Sequence, residues 1–233
     1  MKKLLALGLL LVSPSLAHAG ETADLLANRV TFPVPAGLCA MPTNQTGNLI
    51  FARLDQIQRD IGNRLIAVFP TCADADLIKA DKQPGFSHYA ALATVNQAVV
   101  AGAQATREEV IRETAAQITK GDAGAAATDL LKNAEESLNQ LGVQDIKMTQ
   151  PVSYVGQDDL AVYALIRQKV NSTDNTSIEV MGLLSATAFS NVPVFVYYYD
   201  SPPAKGSSVR LYEANKAYVT LLEQTNSKQA ATP

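Results

Sequence analysis

The segment 160–199 constrains the fold most strongly, because it contains three runs of residues typical of buried strands. Residues 160–166 and 178–184 are apolar at nearly every position. A strand with one face in water alternates apolar and polar residues, so these runs indicate that both faces of the sheet are covered. Residues 193–199 add β-branched and aromatic side chains, which suit a buried pleated surface. Helices from elsewhere in the chain must then supply the covering layers.

The rest of the chain shows an order of strands and helices. Strand patterns are present at 29–34, 64–69, 86–100 and 144–155. For 86–100 a helix is the alternative. Apolar residues at helical spacing are present at 47–61, 106–118, 128–141 and 209–222. The helix at 106–118 opens with Thr106 and Glu109, the spacing of a capping box. Residues 72–85 predict a surface loop with at most a short helical turn.

These elements predict an α+β fold. Polar turns at 171–177 and 190–193 are short, so the late strands should be antiparallel. Helices before and after them can lie on opposite faces of the sheet. We therefore predict a three-layer α/β/α sandwich with a largely antiparallel sheet, formed by one domain over 20–223, and a flexible polar tail at 224–233.

Residues 1–19 have the features of a secretory signal peptide. Lys2 and Lys3 precede a short apolar run, and Ala17-His18-Ala19 resembles a cleavage site with small residues at both ends. The run is shorter than the roughly 20 apolar residues that a spanning helix needs. Gly20 follows the site, so a lipid-anchoring cysteine is absent there. These features predict a soluble periplasmic or secreted protein.

Cys39 and Cys72 are the two cysteines of the chain. In an oxidising compartment an even number of cysteines favours a disulfide. A metal site would need further ligands, and a C-x-x-C redox pair is absent. We therefore predict a Cys39–Cys72 bridge.

Charge and hydropathy exclude several classes of partner. The formal net charge is −3, and no run of basic residues is present. Such a chain is a poor candidate for binding nucleic acid or an anionic membrane. After the leader no apolar segment is long enough to span a bilayer, so stable membrane insertion is not expected.

Catalytic and metal-binding patterns are sparse. His88 is the one histidine beyond the leader, and Ser87 beside it is not part of a G-x-S-x-G turn. A hydrogen-bonded or solvated histidine is the simpler interpretation, and a hydrolase using His88 with a remote serine and acid is the alternative. Asp74, Asp76 and Asp81 are spaced loosely like calcium ligands but lack an EF-hand pattern, so a solvated loop is preferred. We expect no metal, no cofactor and no catalytic residue.

Tyr197-Tyr198-Tyr199-Asp200 is the most distinctive binding candidate. Alternation along a strand sends Tyr197 and Tyr199 to one face and Tyr198 to the other. Tyrosine rings with a polar tip can grip sugars, peptides or aromatic ligands. The competing interpretation is that the rings cap the core and pack on the last helix. We take Tyr197, Tyr199 and Asp200 as the predicted binding residues, with core packing as the alternative.

The stretch Val30-Thr-Phe-Pro-Val-Pro-Ala-Gly37, the amphipathic helix after it, the late antiparallel strands and the closing helix together resemble the Mog1/PsbP-type sandwich. Leu38-Cys39 follows Gly37, where such proteins often carry an aromatic residue, and the chain has no tryptophan. The resemblance implies a binding or assembly role and transfers no functional residue.

The sequence thus favours a non-catalytic binding or accessory protein of the cell envelope, with an unidentified protein or small molecule as its partner and contacts at the end of the sheet. The hydrolase is the alternative. A third possibility is a secreted effector or envelope-stability factor that recognises a host or cell-wall partner.

Overall fold

The computed structural model describes residues 21–25, 28–96, 105–120, 147–149, 152–171 and 177–230. This part of the chain is a mixed α+β fold with four helices and an antiparallel sheet. The strands are β1 (Glu21–Leu25), β2 (Asn28–Phe32), β3 (Asn63–Pro70), β4 (His88–Val95), β5 (Lys147–Thr149), β6 (Val152–Gln157), β7 (Val162–Asn171), β8 (Ser177–Phe189) and β9 (Val192–Asp200). The helices are α1 (Gln45–Asp60), α2 (Cys72–Lys79), α3 (Arg107–Thr119) and α4 (Ser207–Ala230).

The main sheet has the order β3-β4-β9-β8-β7-β5, and β6 also pairs with β7. Every pairing in it is antiparallel, as the short turns predicted. β8 and β9 are joined by Ser190 and Asn191, which both have positive φ, 53° and 61°. Two consecutive residues of this kind match the twist of a tight hairpin. β1 and β2 form a separate hairpin.

Residues of opposite parity on β9 pack into different apolar clusters. Val194, Val196 and Tyr198 belong to a cluster that includes Leu211 and Leu222 of α4. Tyr197 belongs to a second cluster, against which the α1 residues Phe51 and Leu54 also pack. A third cluster joins side chains of α3 to β7 and β8, and its buried members are Val110, Ile111, Val162, Ala186 and Ala188. The near-continuous apolar pattern of β9 therefore corresponds to residues that pack into separate apolar clusters.

Helix termini follow their local sequence signals. Asn44 caps α1 by accepting a hydrogen bond from the Gly47 N–H. Thr106 and Glu109 form the predicted capping box at the start of α3. The pattern at 128–141 and the leader at 1–19 lie outside the described residues.

Three elements differ from the sequence-based expectations. Residues 72–79 form the helix α2 rather than a loop, because Thr71 caps the Asp74 N–H and Ala75 and Ile78 are buried. β1 pairs with β2, although the sequence patterns predicted no strand before residue 29. α4 continues to Ala230, past residue 224, where the tail was predicted to begin. The Asn226 side chain bonds both the N–H and the C=O of Thr31, which ties this last part of the helix to β2.

The predicted disulfide is present, between Cys39 and Cys72, whose Cα atoms are 5.0 Å apart. The Cys39 N–H also donates to the Pro70 carbonyl at 2.9 Å, and Leu38 pairs with Thr71. The bridge therefore fastens the loop after β2 to the end of β3 and the start of α2. None of the helices in the described ranges is long and apolar enough to cross a membrane.

Candidate functional site

The predicted binding residues lie at the end of the sheet where β4 begins and β9 ends. His88 of β4 pairs with Asp200 of β9, Asp200 pairs with Met181 of β8, and Met181 pairs with Arg167 of β7. Directly opposed residues of an antiparallel sheet share one face. These side chains therefore form a row across four strands, and we call this region the sheet end.

Asp200 is held between two basic side chains. One carboxylate oxygen lies 2.7 Å from His88 Nδ1, and the other accepts a hydrogen bond from Arg210 Nη2 at 3.2 Å. The same Arg210 nitrogen donates to Ser207 Oγ at 2.8 Å. The Asp200 side chain is only 11% exposed, whereas the His88 side chain is 37% exposed. Asp200 therefore joins β4, β9 and α4, and each of its carboxylate oxygens has one basic side chain as a partner.

The His88–Asp200 pair has the geometry of the base and orienting acid of a hydrolase. Across the described residues, however, His88 has no hydrogen bond to a serine, threonine or cysteine side chain. Ser207 Oγ instead accepts a hydrogen bond from the Ala204 N–H, besides its contact with Arg210. The arrangement thus supplies two of the three groups that a catalytic triad requires. His88 is the first residue of β4 and is hydrogen-bonded, as the simpler interpretation of the sequence had it.

Tyr197 and Tyr199 belong to a row of aromatic rings on the opposite face from Asp200. Ring centroids are 5.4 Å apart for Phe86 and Tyr89, 4.9 Å for Tyr89 and Tyr199, and 6.1 Å for Tyr199 and Tyr197. The last two pairs are stacked. We call these four residues the aromatic stack.

The environment of the stack keeps its phenols neutral. Burial raises the pKa of Tyr89 to about 12 and raises the pKa of Tyr197 further. Burial also raises the pKa of Tyr199, with a smaller contribution from the two tyrosines beside it. Tyr198 lies on the other face, where its ring meets Tyr218 of α4 edge-on at 6.2 Å. The tyrosines therefore pack within the fold more than they present themselves to solvent.

Gly182 of β8 lies directly beneath the Tyr199 ring. The two residues are partners in the β8–β9 ladder, and a Cβ atom at Gly182 would lie 2.7 Å from Tyr199 Cε1. Such an approach is shorter than van der Waals contact. Because glycine has no side chain, the Tyr199 ring can occupy the space above Gly182.

A groove of about 320 Å³ adjoins the Asp200 cluster at the sheet end. The described residues that line it are Arg167, Gln168, Lys169, Glu179, Val180, Met181 and Pro203. Met181 is the ladder partner of Asp200, which places the groove directly beside the buried carboxylate. Arg167 and Lys169 are exposed, and neither forms an ion pair with a carboxylate of the described chain. The groove therefore combines apolar lining with two cations.

The aspartates considered as calcium ligands have separate protein partners. Asp74 accepts hydrogen bonds from Thr71 and from the Gly85 N–H, and Asp76 pairs with Lys79 at 3.2 Å. Asp81 accepts from Asn44 and Thr46 at 2.8 and 2.9 Å. Within the ranges that the structure describes, no group of three or more histidine, cysteine or acidic residues is placed to hold a metal ion.

Comparison of the chain with protein-family models, with curated proteins and with solved structures finds no match. The site must therefore be interpreted from its own geometry. The sequence pattern indicated Asp200 but not Arg167, Lys169 or Arg210. A signal for the first two was present: both basic residues follow the apolar run of β7 at a spacing of two, which places them on the same face of a strand.

Proposed function

We propose that this protein is an exported, non-catalytic binding or accessory protein of the cell envelope that holds its ligand in the groove at the sheet end. The observation that carries the proposal is the pairing of two exposed cations, Arg167 and Lys169, with the apolar Met181 and Pro203 in one concave site. The groove volume of about 320 Å³ is at the lower end of the range of small-molecule sites.

We also infer that the fold is a three-layer α/β/α sandwich. The support is that α4 packs in one apolar cluster with even-numbered residues of β9. The helices α1 and α3 pack in two other clusters, with odd-numbered residues of the same strand. The resemblance to the Mog1/PsbP-type sandwich remains a prediction. Its implied binding or assembly role agrees with this proposal.

Export is supported by two independent features. Residues 1–19 have the sequence pattern of a secretory leader. The Cys39–Cys72 disulfide is of a kind that persists in oxidising compartments such as the periplasm. We propose the periplasm or the extracellular space as the site of action.

A secreted hydrolase is the second candidate, and the 2.7 Å contact between His88 Nδ1 and Asp200 Oδ1 is the observation that favours it. The two candidates differ in what His88→Ala does. A hydrolase would lose its function completely in a protein that remains folded, as judged by circular dichroism. The binding protein would keep its function, because His88 does not line the groove.

The proposal is tested by native mass spectrometry of the mature protein isolated gently from the periplasm of its host. We expect extra mass that is lost on denaturation, and we expect the double variant Arg167→Gln, Lys169→Gln to have lost it. Arg112→Gln is the matched control, since Arg112 is an exposed arginine of α3 outside the groove. Extra mass retained equally by all three proteins would contradict binding in the groove, and bare protein would contradict a retained small ligand.

A further inference from the structure

We propose that the ligand of the groove carries an oxyanion, a carboxylate or a phosphate group, that Arg167 and Lys169 bind together. This inference rests on the proposed function and specifies the chemistry of its ligand. Both residues are exposed in the second half of β7, and both line the groove.

The spacing of the two cations suits a single anionic group. Residues two apart on a strand share a face and have Cα atoms about 7 Å apart. Long basic side chains can converge across such a distance on one ligand. Arg167 supplies a planar fork that can bind two oxygens at once, and Lys169 supplies a compact point charge.

The buried carboxylate beside the groove is paired with a basic side chain that does not line the groove. Asp200 is the nearest buried carboxylate, since its ladder partner Met181 lines the groove. Its charge is compensated by Arg210, with which it forms an ion pair at 3.2 Å. An incoming anion therefore meets little repulsion from Asp200.

Glu179 is the acidic residue of the lining and is the ladder partner of Lys169. Directly opposed side chains of this kind have Cβ atoms about 5 Å apart. The two do not form an ion pair in the described structure, yet the carboxylate lies where it competes with a ligand for Lys169. Glu179 is thus a specificity element that weakens the binding of simple anions.

The apolar part of the lining restricts the ligand further. Met181 and Pro203 are partly buried and contribute no charge. A ligand that fills the groove must place a short apolar portion against them while its anionic end meets Arg167. We therefore expect an organic acid or an organic phosphate of modest size.

The inference is tested by titrating isotope-labelled mature protein with citrate and, separately, with inorganic phosphate at constant ionic strength. Backbone amide shifts of β7 and β8 report binding in the groove. Arg167→Gln should weaken binding about tenfold or more, because hydrogen bonds between charged groups are lost. Arg167→Lys should fall between this variant and the wild type, since it keeps the charge but loses the fork.

Glu179→Gln should strengthen anion binding, in contrast to Arg167→Gln, which should weaken it. Removing the competing carboxylate should tighten binding about two- to fivefold, a gain that a damaged fold does not produce. The control Arg112→Gln should match the wild type. Binding of citrate alone assigns a carboxylate ligand, and binding of phosphate alone assigns a phosphate ligand.

Other outcomes overturn the inference. Shifts spread evenly over the surface, no binding of either probe even to Glu179→Gln, an unchanged affinity in Arg167→Gln, or weaker binding in Glu179→Gln would each contradict an oxyanion site. The proposed function fails separately. A neutral ligand found in the groove by mass spectrometry would leave the binding role intact and refute only the anionic chemistry.

Discussion

Gly182→Ala should destabilise the protein, because β8 has no room for a side chain beneath the Tyr199 ring. The added Cβ atom would lie 2.7 Å from Cε1 and 2.9 Å from Cδ1 of that ring. The ring is stacked on both sides, 4.9 Å from Tyr89 and 6.1 Å from Tyr197, so it cannot yield without disturbing the aromatic stack.

The expected size follows from two opposing effects. Overpacking a well-packed site costs about 1–3 kcal/mol. Replacing a strand glycine by alanine stabilises by about 0.5–1 kcal/mol, since the unfolded chain loses conformational freedom. The free energy of unfolding should therefore fall by about 0–2.5 kcal/mol, with a midpoint of about 1 kcal/mol, which for a chain of this size lowers Tm by about 2–4 °C.

Urea denaturation followed by circular dichroism, with the disulfide intact, measures this change. Gly156→Ala is the matched control, because Gly156 is also a strand glycine and nothing lies within 4 Å of a Cβ atom built there. The near-ultraviolet spectrum should change in Gly182→Ala and stay constant in Gly156→Ala, since only the first moves stacked tyrosines.

A double-mutant cycle with Tyr199→Ala isolates the contact itself. In the Tyr199→Ala background the ring is gone, and Gly182→Ala should become neutral or stabilising. Equal stability of the Gly182→Ala and Gly156→Ala proteins, or an unchanged cost of Gly182→Ala without the ring, would refute the reasoning.

Three further predictions concern covalent and electrostatic contributions. Cys39→Ser with Cys72→Ser should lower the free energy of unfolding by roughly 3–4 kcal/mol, as measured in urea, because the bridge closes a loop with a sequence separation of 33; a loss below about 1 kcal/mol would contradict this. Partial burial alone raises the pKa of Asp158, but hydrogen bonds from two backbone N–H groups and from Lys216 outweigh it, so the pKa lies below its ordinary value of 3.8. The ionised Asp158 carboxylate stabilises the fold fully above pH 3.8, and this stabilisation is lost as the pH falls through the lowered pKa. Lys216→Met should therefore move the midpoint of acid unfolding to higher pH, and an unshifted midpoint would argue against the Lys216–Asp158 pair. Burial raises the pKa of six of the eight tyrosines above 10.0, so their contribution to folding stability is complete below pH 10 and is lost as the pH rises further. Absorbance at 295 nm of the folded protein should show these six un-ionised at pH 10, and early ionisation of all of them would disprove their burial. The six are Tyr89, Tyr163, Tyr197, Tyr198, Tyr199 and Tyr218.

Much of the architecture was predictable because its signals are local. The capping box at Thr106 depends on residues three apart, and the two faces of β9 depend on residues two apart. The Cys39–Cys72 bridge followed from cysteine number and the predicted compartment. The helix α2 was missed because its stability comes from burying Ala75 and Ile78, a tertiary effect that its charged sequence hides.

The sequence by itself determined the antiparallel late strands, the amphipathic helices and the parity that separates Tyr198 from Tyr197 and Tyr199. Only the tertiary structure decided what those side chains meet. His88 and Asp200 are 112 positions apart in the chain, and they pair because β4 and β9 adopt one particular register. The groove beside them likewise depends on the register of β7 with β8 and on the path of the chain through Pro203. Residue spacing along a strand is set by backbone geometry, whereas register between strands is set by the packing of the whole core.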